Sequence, residues 1–344
     1  MGGLALKHLN VHRIAAADYH VLANKVITRF TAAFAQQPDI VPAYRSKPDF
    51  GDCDLIVTTA DLPLDWRETF ATQVASRGWS RNGDVTSMEI DGVQFDFIDV
   101  PRAARSFALV YFAYNDLGNL MGRIAHKMGF KYGHLGLQKV LRDGDHLFAE
   151  VPVFADNTTE APMTQMAQVF NFLGYDYARY EQGFEALTDI FDYAASTPYF
   201  NPDIYLLHNR NHVSRIRDAK RKTYTEFLKW CETKEPITRW PWPTDEVGKA
   251  TVHAEHLAGA QSRWPQFAAR LASEVERHQQ SKDLKTRWNG DLVSAWTGLT
   301  GRELGALMTR VRGDERFAQV SGRAAASGEL RALVLEKSER GMIE

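Results

Sequence analysis

Asp52 and Asp54 stand one residue apart at the mouth of an apolar run, in the stretch SKPDFGDCDLIVTT (46–59). In a strand, alternate side chains share a face, so the two carboxylates point one way and Cys53 the other. Like charges this close repel unless a proton or a divalent cation sits between them, and hard cations such as Mg²⁺ choose oxygen ligands of this kind. Downstream, in VQFDFID (93–99), Asp96 lies between two phenylalanines, where a lone charge needs a partner. Asp99 is its rival, but parity puts Asp99 on the opposite strand face. Upstream, RSKPDFG brings Ser46, Lys47 and Gly51 into the loop that enters the strand, a composition that lets donors approach a phosphate. A bare Asp-x-Asp pair is also the pattern of a strand end running into a solvated turn, so the reading rests on the three features together.

The elements that must position these groups are legible nearby. Residues 13–36 carry apolar side chains at helical spacing (Ile14, Val21, Leu22, Val26, Phe30, Phe34), broken by QQPD. CDLIVTT reads as a central strand, and TADLPLDWRETFATQVASRGW as a loop and helix closed by Gly78. VTSMEI and VQFDFIDV alternate on either side of Asp91-Gly92, a hairpin signal. From about residue 115 strand signals thin out. The Pro- and Trp-rich stretch EPITRWPWPTDEVG (235–248) reads as a linker, followed by helical periodicity to the end. The expected organisation is a catalytic domain over 1–150, a helical middle domain over 151–240 and a helical C-terminal domain over 241–344, the candidate RNA-binding part.

Two basic stretches accompany the acids. In NDLGNLMGRIAHKMGFKYGHLGL (115–137), a helix would place Arg123, Lys127 and Lys131 on one cationic ridge, able to hold a triphosphate or simply to face water. In HNRNHVSRIRDAKRKTYTEFLKW (208–230), Val213, Ile216, Ala219 and Phe227 form an apolar stripe on a helical wheel. Arg210, Arg217 and Arg221 line its border, as a nucleic-acid backbone track or as ordinary surface arginines. His208 and His212 lack the intervening carboxylate of a zinc site and read as structural.

Composition bounds the rest. With 41 basic and 43 acidic residues among 344, a net charge of −2 leaves no global field for polyanions, so any such site is local. Cys53 and Cys231 are too few for a disulfide framework or a zinc knuckle, which suits a reducing compartment. The longest apolar runs fall short of a membrane span, and the first residues have no signal-peptide pattern. The expectation is a soluble, cytoplasmic chain with no membrane partner.

Ser46 through Leu55, followed by VQFDFI, resembles the catalytic signature of the DNA polymerase β-like nucleotidyltransferase superfamily: a loop with a serine, acidic-x-acidic on one strand, and a third acid on a neighbouring strand. Matched residue by residue, the resemblance implies Asp52, Asp54 and Asp96 as ligands of two Mg²⁺ ions, with Mn²⁺ an alternative, and Ser46 as a contact of the NTP triphosphate, to which the loop's composition adds Lys47 as a candidate. The glycine expected before the serine is Arg45. The run from 46 to 137 is also similar, more broadly, to bacteriophage-encoded nucleotidyltransferases. A further segment, WNGDLVSAWTGLTGRELGALMTRVRGD (288–314), resembles the helical tail of CCA-adding enzymes and bacterial poly(A) polymerases through Asn289, Gly290, Leu292, Gly298, Gly301 and Gly305. There Thr300 and Glu303 read as a capping box, and Gly301 and Arg302 at the helix start as candidate nucleic-acid contacts. The base-selection motifs of the CCA-adding enzymes are missing.

The implied fold is α+β: a polymerase β-like head with a small mixed sheet, then all-helical domains. The implied activity is addition of nucleotides from an NTP to the 3′ hydroxyl of RNA, tRNA-like or another 3′ end, with release of pyrophosphate. Alternatives are a small-molecule or protein acceptor, or an inactive nucleic-acid-binding relative.

Overall fold

A computed structural model of the chain describes residues 5–154, 161–321 and 327–340. The chain divides into two units, residues 1–268 and 269–344. The first opens with β1 (Ile14–Ala15), α1 (Ala16–Phe34), β2 (Asp39–Ile40), β3 (Asp49–Phe50), β4 (Asp52–Val57), α2 (Trp66–Gln73), β5 (Trp79–Asn82), β6 (Val85–Ile90) and β7 (Val93–Asp99). Strands β2, β4, β7, β6 and β5 form one mixed sheet in that order, antiparallel except for β4 against β7.

Alternation divides this sheet into two faces. Cys53, Leu55 and Val57 of β4, Met88 and Ile90 of β6, and Val93, Phe95 and Phe97 of β7 join one core with α1 and α2. Phe30 of α1 stacks on Phe97 at 5.4 Å, and Trp66 and Phe70 close on the same ring edge-on. Each of these fully buried side chains contributes about 1.5–3 kcal/mol by leaving water. Helix α1 buries Tyr19, Ala23, Val26 and Phe30, whereas Val21, expected inside, is exposed. The β6–β7 hairpin turns on Asp91 and Gly92, both at positive φ (51° and 82°). Gly92 is required twice over, since a Cβ there would lie 2.4 Å from the His12 ring.

Beyond the hairpin come α3 (Arg105–Phe112), α4 (Leu117–Lys127), β8 (Lys131–Gly133), β9 (Gly136–Asp143) and β10 (His146–Pro152). These three strands make a separate antiparallel sheet in the stretch where strand signals were read as thinning out. Its signal is present in GLQKVLRDGDHLFAEV: alternation on either side of Gly144-Asp145, with Gly144 at φ 58°. The first unit continues through α5 (Pro162–Phe172), α6 (Tyr177–Glu181), α7 (Leu187–Ala194), α8 (His212–Ala219), α9 (Lys222–Thr233), α10 (Glu246–Arg263) and the start of α11 (Pro265–Arg287).

Residues 241–268, grouped in sequence with the C-terminal domain, belong to the first unit. The stretch read as a linker is a strap: Trp240 N–H donates to Phe200 O at 2.7 Å, and Trp242 Nε1 to Tyr199 O at 3.0 Å. Its tryptophans are anchors, which is why a Pro-rich run here is ordered.

The second unit continues α11 and adds α12 (Gly290–Thr297), α13 (Gly301–Arg312), α14 (Glu315–Ser321) and α15 (Ser327–Arg340) around a core of Trp288, Val293, Leu307, Val311, Leu330, Leu333 and Val334. Asn289 caps α12 through Leu292 N–H at 2.9 Å, and Gly298 ends it at φ 73°. The expected capping box at Thr300 does not form, since its side chain makes no cap bond. Gly301 and Arg302 lie exposed in the first turn of α13. Among the described residues no helix is long and apolar enough to cross a membrane.

Candidate metal centre

The parallel β4–β7 pairing sets Asp54 directly opposite Asp96 and Asp52 opposite Gln94, on the face turned away from the main core. One carboxylate oxygen each from Asp52, Asp54 and Asp96 lies within 4.8 Å of the other two. Asp99 is excluded from the cluster by parity and by occupation: it accepts from Thr59 N–H at 2.8 Å and from the Thr59 hydroxyl. Asp99 therefore caps the loop after β4, and the choice between it and Asp96 falls to Asp96.

Crowded negative charge governs the cluster's chemistry. Burial, then the charges of Asp52 and Asp96, hold the Asp54 carboxyl well above the usual range. Burial pushes Asp96 up to about 6, with Asp52 adding to the rise while hydrogen bonds from Ser87 and Gln94 oppose it. Hard oxygen donors under this mutual repulsion fit a divalent cation, whose charge removes it. The sign of the pH effect follows. The folded chain retains the Asp96 proton up to about pH 6, against a reference value of 3.8, so this group favours folding below pH 4 and loses that contribution as pH rises through 6. Mg²⁺ should accordingly raise the melting temperature more at about pH 7.5 than at about pH 5. Melting curves with and without Mg²⁺ check this; an equal rise at both, or one that survives Asp54→Ala, would count against the site.

Lys47 sits over the Phe50 ring at 4.3 Å, and Phe50 stacks on Tyr19 at 3.6 Å. Burial draws the Lys47 ammonium below its usual range although Asp52 and Asp54 oppose the shift, which places its charge beside the acids. Ser46 is differently engaged. Its N–H and Oγ both donate to Glu185 O, at 2.9 and 2.7 Å. Arg45, standing where the signature has glycine, donates its N–H to Phe184 O at 3.0 Å and its guanidinium to Gln182 O. The loop is thus moored to residues 182–185, where Gly183 (φ 69°) leaves room for the Arg45 guanidinium and the Tyr114 hydroxyl. Tyr114 and Asn115 carry positive φ in succession (57° and 63°), and Asn115 reaches Thr223 at 3.4 Å.

The two cationic arrays expected from spacing do not form. Helix α4 stops at Lys127 because Gly129 turns at φ 82°, so Lys131 lies on β8, paired with Glu150 at 2.6 Å. Arg123 donates to Ile204 O at 2.9 Å, and burial followed by the charge of Arg210 lowers its pKa to about 10. Lys127 is half-buried at the last turn of α4. Residues 208–230 form two helices instead of one, and the wheel is inverted: Val213, Ile216 and Ala219 face solvent while Asp218 is fully buried. Arg210 grips Asp218 through Nε (2.9 Å) and Nη2 (2.7 Å), Arg217 adds a bond at 2.9 Å, and Arg221 pairs with Asp116. Arg210 is an internal tie, whereas the side chains of Arg217 and Arg221 remain 44% and 29% exposed beside their carboxylate partners. Phe227 and Tyr224 are buried, the former as expected.

Two participants escaped the sequence reading. Gln94 donates Nε2 to both Asp96 oxygens, at 2.9 and 3.0 Å, and Ser87, opposite Asp96 on β6, also hydrogen-bonds to it. Gln94 had a signal in the chain, a polar position sharing parity with Asp96 in the largely apolar β7, whereas Ser87 stood among the polar Thr86 and Glu89 of β6. No protein-family model matches this chain, and no curated protein does either.

Proposed function

We propose that the chain is a metal-dependent nucleotidyltransferase that uses a nucleoside triphosphate as donor and the 3′ hydroxyl of RNA as acceptor, releasing pyrophosphate. The observation that carries this reading is the convergence of Asp52, Asp54 and Asp96 on one face of the β4–β7 pair, in the order of the superfamily signature. The three carboxylates would hold two Mg²⁺ or Mn²⁺ ions. When bound, such a pair supplies Lewis-acid stabilisation of the attacking and leaving oxygens of nucleotidyl transfer. Lys47, beside the acids, is suited to a triphosphate oxygen. Ser46 could join it only by releasing Glu185 O.

Support for an RNA acceptor comes from residues 288–314, with Gly301 and Arg302 exposed at a helix start. Arg210, buried against Asp218, adds nothing to it, while Arg217 and Arg221 keep exposed side-chain surface. Incubation with each labelled NTP and Mg²⁺, with and without pooled RNA, tests the proposal. Label at RNA length supports it; label on protein or small molecules replaces the acceptor; no label with any acceptor, despite RNA binding, favours an inactive relative.

A further inference from the structure

We propose that Gln94 is a positioning residue for Asp96 and that the chain's N-terminal segment, through the amides of Ala5 and Leu6, sets its aim. The inference rests on the metal-binding part of the reading above.

Gln94 is 2% exposed and lies on β7 two residues before Asp96, on the same strand face. Its carboxamide is held at both ends. Nε2 donates to Asp96 Oδ1 and Oδ2, while Oε1 accepts from Ala5 N–H at 3.1 Å and Leu6 N–H at 3.3 Å. Backbone amides can only donate and an ionised carboxylate can only accept, so just one orientation of the carboxamide satisfies both sets of partners. Turned over, it would set Oε1 against the carboxylate and leave two backbone donors facing an NH₂ group.

The segment that fixes this orientation is itself anchored. Leu6 is fully buried, and His12 N–H donates to Gly92 O at 2.9 Å, tying the segment to the turn of the β6–β7 hairpin. Gln94 thus relays the placement of residues 5 and 6 to a carboxylate of the metal centre, much as outer partners orient ligating groups elsewhere. A Gln used only to dock the N-terminal segment would need its oxygen alone. The two bonds from Nε2 to Asp96 give the amide its second task.

The test is Mn²⁺ binding to the full chain without nucleotide, by titration calorimetry or electron paramagnetic resonance. The variants are Gln94→Met, a truncation lacking residues 1–6, and the two combined. Each single change is expected to weaken Mn²⁺ binding about 10–100-fold. The combination should be no weaker than Gln94→Met alone, because the segment acts through Gln94. Thermal melting verifies folding, and Ala5→Pro, which removes one of the two donors at an exposed residue, replaces the truncation if that fails to fold. Unchanged affinity in Gln94→Met or in the N-terminal variant overturns the proposal, as do losses that multiply in the combination. Wild-type protein that shows no Asp54-dependent Mn²⁺ binding overturns this inference and the metal centre together. Wild-type protein that binds Mn²⁺ yet transfers no nucleotide sinks only the transferase reading, and the positioning role of Gln94 stands.

Discussion

Asp54→Ala is expected to reduce nucleotidyl transfer at least about 10³-fold, close to 4 kcal/mol of transition-state stabilisation, while the metal-free protein melts no lower than wild type. The two halves of this result have one cause. Asp54 faces Asp96 across the parallel pair and shares its strand face with Asp52, so it sits at the centre of the repulsion. Its carboxyl is held well above the usual range by burial and by those two neighbours. Removing it relieves the repulsion in the metal-free protein and at the same time removes a ligand the loaded site requires. Rates of NTP incorporation paired with melting curves for the same preparation read both effects. A variant that keeps wild-type activity ends the assignment; one that loses activity only because it unfolds leaves the centre without this support.

The acids were legible in sequence because the signal for them is strictly local. Period-two alternation fixed which side chains of CDLIV and VQFDFI share a face, and Asp91-Gly92 fixed the hairpin that brings β7 back beside β6. The parallel pairing of β4 with β7 is a tertiary fact that neither signal specifies. Register across that parallel pair is tertiary and could not be read from spacing, yet Asp54 and Asp96 are level.

Helical spacing misled where a charge had an interior partner. The wheel over 208–230 placed Val213 and Ile216 inside and the arginines at the border, because a wheel weighs hydrophobicity alone. The fold instead buries Asp218 with Arg210 as its partner, and the short helix α8 turns Val213 and Ile216 outward. Gly129 is readable in the sequence as an early helix stop, and the structure turns there; Gly144 carries the signal of a strand turn that the helical reading of this stretch passed over. The mooring of residues 45 and 46 to 182–185 joins parts of the chain nearly 140 residues apart, and no local pattern announces it.

Asp218→Ala is expected to destabilise the chain by about 3–5 kcal/mol, a larger effect on stability than any other single change considered for this chain. Asp218 is 0% exposed and Arg210 8%, and the two share bonds at 2.9 and 2.7 Å. Losing the carboxylate leaves a guanidinium in the interior with no anion, and it also frees Arg217 from one of its ties. Asp218→Asn retains an acceptor and should cost less, about 1–3 kcal/mol. Replacing both partners, Arg210→Met with Asp218→Leu, should recover most of the loss, because a buried pair is worth little more than apolar groups of its size. Denaturant unfolding of the four proteins measures each effect. A single Arg210→Ala variant, added to the series, separates an internal tie from an RNA track. If Arg210 held a phosphate, its replacement would lower the salt dependence of RNA binding by about one unit of slope and leave stability alone. The burial of this pair requires the reverse, a fall in stability with the salt slope of any RNA binding unchanged.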